Sequence, residues 1–86
     1  MMPHEKEEGM DHDQALSARH SGELVEAVVK PADDVNGWML VFVTRSREHF
    51  IYSGHTGSKK VYHTLDHATE AAREIGFHTV RVEEEF

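Results

Sequence analysis

The stretch "WMLVFVT", Trp38 to Thr44, decides the fold, because it is apolar at every position before the closing threonine. In an extended chain successive side chains point to opposite faces. Trp38, Leu40 and Phe42 therefore share one face while Met39, Val41 and Val43 share the other. A strand that is apolar on both faces belongs inside a sheet that is covered on both sides.

Working outward, "PADDVNG" (31–37) is rich in turn formers, and Asn36-Gly37 suits the positive φ of a chain reversal. The valine-rich "LVEAVVK" (24–30) before it reads as a strand ended by Pro31, which has no N–H to donate. On the other side, "RSRE" (45–48) is a short turn into a third strand, "HFIYS" (49–53). "KKVYH" (59–63) is expected as a fourth, short one.

"TLDHATEAAREIGF" (64–77) is the clearest element. Leu65, Ala68, Ala72 and Ile75 recur at helical spacing and leave Glu70, Arg73 and Glu74 outward. Thr64 is placed to cap the first N–H groups, Asp66 sits in the positive field of the first turn, and Gly76 suits the left-handed turn past the end. "HTVRVE" (78–83) alternates as a closing strand, with Val80 and Val82 on one face. The expected fold is α+β, an antiparallel three- to four-stranded sheet with one helix packed on one face. Its order is β-β-β-(β)-α-β over residues 23–86.

One helix covers one face, so the second face needs another cover. The expectation is a homodimer, with Trp38, Leu40 and Phe42 at the contact. The alternatives are long flanking side chains, Tyr52 and Tyr62 among them, or the amino-terminal residues. Residues 1–22 are polar and rich in acids and are expected as a flexible, histidine-bearing tail that buries too little to offset its ordering entropy. The competing expectation is a helix over "DHDQALSARH" (11–20), with Asp13 as its cap, that folds where Leu16 finds a surface.

The chain has 86 residues and no cysteine, which excludes disulfides, cysteine-ligated zinc and a thiol nucleophile. A net charge of −7 argues against indiscriminate affinity for nucleic acid or anionic membrane. No segment approaches a signal core or the roughly 20 apolar residues of a membrane span, so the expectation is a soluble, cytoplasmic protein that meets no membrane.

Five groups of residues invite a chemical reading. "SGHTGSKK" (53–60) has two glycines and two lysines, but Gly54 and Gly57 are too close and Ser58 precedes Lys59, so it fails the pattern of a phosphate-binding loop. Arg45, Arg47, Lys59 and Lys60 make a basic middle in an acidic chain, a candidate contact for nucleic acid or another acidic partner. Folding back of the third strand would place the two pairs at opposite ends of it. Among eight histidines, His63 and His67 are four apart and form the candidate metal pair, although His63 precedes the helix cap. Ser53, His55 and Asp66 supply the residue types of a hydrolytic trio with no local signature around them, and Glu83, Glu84 and Glu85 look solvated. Protonating every histidine would carry the formal charge from −7 to +1, so association is expected to respond to mild acid.

Over residues 37–82 the layout resembles short accessory proteins associated with plasmid partition and replication, in a tryptophan strand, a hairpin, a Leu-Asp-x-Ala helix start and a Gly-Phe helix end. The matching residues are Trp38, Leu40, Leu65, Asp66, Ala68, Ile75, Gly76 and Phe77. His63 departs from the pattern, where an aromatic is expected. The resemblance implies the same β-β-β-α-β fold and a role in mobile-element biology. The residues themselves point to a non-enzymatic, cofactor-free interaction module that self-associates through its sheet and meets an unknown protein partner. The alternatives are a nucleic-acid-associated accessory protein using the basic hairpin and a histidine-rich metal binder.

Overall fold

The computed structural model describes residues 8–32, 35–54 and 59–83. Along the chain run β1 (Glu8–Met10), α1 (His12–His20), β2 (Leu24–Pro31), β3 (Trp38–Thr44), β4 (His49–Tyr52), α2 (Leu65–Ile75) and β5 (Arg81–Val82). The fold is α+β. The strands form a mixed five-stranded sheet in the order β1-β4-β3-β2-β5. β2, β3 and β4 are antiparallel, with Val28 opposite Val41 and Val41 opposite Ile51. β1 pairs with β4 and β5 with β2 in parallel.

The antiparallel centre matches the expected strands, and the edges correct the expectation. Each helix carries the chain back along the sheet before the next strand starts, so β1 and β2 run the same way, as do β4 and β5. Such crossovers give parallel neighbours. "KKVYH" does not form a strand. It makes isolated bridges, Ser53 with Lys59 and Trp38 with Tyr62.

α2 follows its sequence signals. Thr64 Oγ1 accepts a hydrogen bond from the His67 amide at 3.1 Å. Gly76 closes the helix at φ 117°, an angle that costs a residue without Cβ little. Ala68, Ala71, Ala72 and Ile75 are its buried residues, and the three alanines let the helix lie close on the sheet.

The expected tail over residues 1–22 is corrected for residues 8–22, which hold β1 and α1; residues 1–7 lie outside the described residues. The helix begins at Asp11 rather than Asp13. The Asp11 carboxylate accepts from the Gln14 amide and the Gln14 side chain accepts from the Asp11 amide, both at 2.9 Å, a reciprocal cap. α1 buries Ala15 fully and packs Leu16 and Ala18 against the same core, the surface that the helix expectation required of Leu16, with polar anchors beside them. The Arg19 guanidinium donates to the carbonyls of Leu24 (3.0 Å) and Gly76 (3.4 Å) and lies 4.4 Å over the Phe77 ring. His12 Nδ1 is 2.8 Å from the Tyr52 hydroxyl.

Both helices lie on one face of the sheet. Beneath them Ala27, Val29, Leu40, Phe42, Tyr52 and Phe77 form the main core, with Phe77 stacked on Phe42 at 5.9 Å and Tyr52 edge-on to it at 5.4 Å. The opposite face carries a second cluster of Val28, Met39, Val41 and Val43, none more than 4% exposed, with Ile51 beside it. No helix among the described residues lies over this cluster. Glu26 and Arg81, joined at 2.9 Å, flank Val28 at the sheet's edge. No helix among the described residues is long and apolar enough to cross a membrane.

Candidate functional site

Leu40 and Phe42, expected to face another copy of the chain, are 0% exposed beneath the two helices, and Trp38 is half-buried against the same core. Both helices cover the face that carries these three residues, and neither covers the opposite face. The premise for self-association through these three residues is therefore gone.

The basic residues divide as strand reversal dictates. Arg45 and Arg47 sit on the β3–β4 turn, whereas Lys59 bridges Ser53 and the Lys60 amide donates to the Tyr52 carbonyl at 3.1 Å, past the far end of β4. A four-residue strand separates the pairs by about 13 Å. The Lys60 ammonium rests 4.8 Å over the Tyr52 ring.

The β3–β4 turn is a three-residue loop, Arg45-Ser46-Arg47, tied from several sides. The Arg47 amide donates to the Thr44 carbonyl and the Thr44 amide to the Glu48 carbonyl, both at 2.9 Å. Buried Thr44 adds a side-chain clamp, its Oγ1 accepting from the Glu48 amide at 3.0 Å and lying 3.1 Å from Ser46 Oγ. The Arg45 amide donates to the Glu23 carbonyl at 3.0 Å, which ties the turn to the α1–β2 connection. Arg47 stands at φ 74°. That left-handed position in a three-residue hairpin loop normally goes to glycine, since a side chain there costs about 1–2 kcal/mol. The side chains of Arg45 and Arg47 are exposed and make no hydrogen bond or ion pair with the described residues.

Both helices end at this side of the molecule, joined there by Arg19 bonding to Leu24 and Gly76. The segments 19–23, 44–49 and 73–78 thus share one end. They carry Arg19, Arg45, Arg47 and Arg73 against Glu23, Glu48 and Glu74, a formal +1, which leaves −8 on the rest of the chain. His20, His49 and His78 are exposed on the same segments. Sequence reading found Arg45 and Arg47 and missed the company they keep, because that grouping depends on the direction of both helices.

The remaining candidates lack converging geometry. Among the described residues no group of three or more His, Asp or Glu side chains is placed to hold a metal; His63 and His67 are both exposed, and His63 precedes the helix. Ser53 is buried and Asp66 exposed, while His55 lies outside the described residues. Tyr52 and His12 are in contact, but burial, reinforced by Glu74 and Asp11, raises the Tyr52 pKa and keeps its hydroxyl neutral. Burial, with Tyr52 and Glu74 adding to it, pushes the Tyr62 hydroxyl up to about 12. Neutral phenols suit structural hydrogen bonds better than proton abstraction.

No family model, no curated protein and no solved structure matches the chain, so the likeness to plasmid accessory proteins gains no support.

Proposed function

We propose that the protein is a small, non-enzymatic binding module that takes the phosphate backbone of a nucleic acid at the end where both helices terminate, with Arg45 and Arg47 as the principal contacts. The observation that carries this reading is Arg47, a charged side chain in a glycine-type backbone position on a turn clamped by Thr44. Strain of this kind persists where the surrounding structure enforces it, and it concentrates at working sites. Two unpaired guanidinium groups on a rigid loop match the planar, bidentate demands of phosphate.

The charge distribution supports an oriented approach. Helix C-termini repel anions, and Arg19 and Arg73 in the last turns offset that field. The −8 on the remaining residues disfavours contact by any other surface.

Fluorescence anisotropy of a labelled 20-base-pair duplex at low salt tests the reading. Arg45→Ala and Arg47→Ala are each expected to weaken binding and to lower the salt slope by about 1, as loss of one phosphate contact does. Lys59→Ala with Lys60→Ala should change little. Absence of binding at low salt, or equal losses from the lysine and arginine variants, would overturn it.

A further inference from the structure

We infer that the sheet face opposite the helices is a docking site for the chain's own residues 1–7, with Met1 and Met2 seated on Val28, Met39, Val41 and Val43. Those four side chains are at most 4% exposed, although both helices lie on the other face, over Leu40 and Phe42. Val41 stands between Val28 and Ile51 in register, with Met39 and Val43 before and after it on the same face, so its neighbours are apolar side chains of its own height. Such neighbours close off the sides of a valine and leave its tip open to water, yet Val41 is 2% exposed. The polar residues of this face stand at its margin. Glu26 and His49 flank Val43, Lys30 lies beside Met39, and Arg81 lies beside Val28, its guanidinium held by Glu26 at 2.9 Å and Glu83 at 3.2 Å.

Length and composition choose the occupant. Of the stretches outside the described residues, 33–34 is Asp-Asp and 55–58 is His-Thr-Gly-Ser, neither with a large apolar side chain. Residues 84–86 follow Glu83, which leaves β5 beside Lys30, at the Met39 end of the cluster. Val43 is about 17 Å from there, two strand spacings across and four residues along, whereas three residues span about 10 Å. Residues 1–7 lead into Glu8, opposite Phe50 and so level with Phe42. The farthest member of the cluster, Met39, is then about 14 Å away, two spacings across and three residues along, within the roughly 23 Å that seven residues span. Met1, Met2 and Pro3 give the segment an apolar front, and methionine's unbranched thioether adapts to irregular apolar surfaces. A second copy of the chain is a poorer occupant, because side chains already buried within one chain leave it little apolar area to cover.

The test is nuclear Overhauser spectroscopy of the full chain, isotope-labelled at its methionine and valine methyl groups. Cross-peaks are expected between Met1 or Met2 and Val28, Val41 or Val43. In an isotope-filtered mixture of labelled and unlabelled chains the same cross-peaks should be missing, which places both partners in one molecule. Met2→Glu in the full chain should lose its cross-peaks and raise the fluorescence of added anilinonaphthalenesulfonate severalfold, as exposed apolar surface does. Trp38 emission, which reports the opposite face, should stay as in wild type. Three results would each overturn the inference: no such cross-peaks in wild type, cross-peaks between chains only, which makes a second copy the occupant, or a Met2→Glu variant with unchanged dye fluorescence.

Discussion

Arg47 occupies a backbone angle that glycine holds at lower cost, and the consequence is measurable at that one residue. Its φ of 74° is enforced by the hydrogen bonds of Thr44 and Glu48 on either side. Arg47→Gly should raise the unfolding free energy by about 1 kcal/mol, the strain relieved less the extra chain entropy that glycine loses on folding. Urea denaturation checks this; a variant less stable than wild type would mean that the angle is not strained. The same substitution should weaken duplex binding as Arg47→Ala does. Tyr62 supplies a second test at this scale. Its hydroxyl holds its proton up to about pH 12, whereas an unfolded tyrosine releases it near 10. Between those values the unfolded chain binds fewer protons than the folded one, so stability is whole below pH 10 and falls as pH rises toward 12, by on the order of 2 kcal/mol. Tyr62→Phe keeps the ring and removes the proton, so its denaturation midpoint should fall less than that of wild type across that window.

At the scale of elements, what could be read from the residues was whatever the hydrophobic pattern and the caps determine. β3 was legible because seven residues in a row favour a strand and turns bound it on both sides. α2 was legible because Thr64, Asp66 and Gly76 mark its ends and its apolar positions repeat at helical spacing. β1 was not, since three residues are too few to establish a period, whereas β5 lies inside the closing strand expected from the alternation of 78–83 and is shorter than that run. α1 was legible only as the alternative to a flexible tail, for a different reason. Its contribution to the core is one fully buried alanine with Leu16 and Ala18 packed beside it, and Arg19 over Phe77 and His12 at Tyr52 add contacts that a search for apolar periodicity counts as solvent-facing. The cap was present in the letters, Asp11 with Gln14 three residues on, but it gains meaning only once a partner surface exists. The candidate site divides likewise. Arg45 and Arg47 were legible as exposed charge on a turn. Their grouping with Arg19, Arg73 and three histidines was not, because it follows from two helices running in the same direction across one face.

For the molecule as a whole, α1 makes the amino-terminal segment part of the core. Ala15 is 0% exposed within the main cluster, and Arg19 ties the end of α1 to β2 and to the end of α2. A domain of this size has little stability to spare, since the apolar area it buries only narrowly exceeds the entropy of ordering its chain. Deleting residues 1–22 would strip one of the two helices from the covered face and expose Phe77 and Tyr52 to water. It would also remove β1 from the edge of β4. Burying one aromatic or large aliphatic side chain is worth about 1.5–3 kcal/mol, so uncovering two of them uses up much of a typical stability of about 5–15 kcal/mol. Residues 23–86 alone are therefore expected to lose cooperative unfolding in urea, with Trp38 emission shifted toward that of a solvated indole. A mere appendage would leave the midpoint where it was, and an unchanged midpoint in the shortened chain would show that α1 is dispensable to the core.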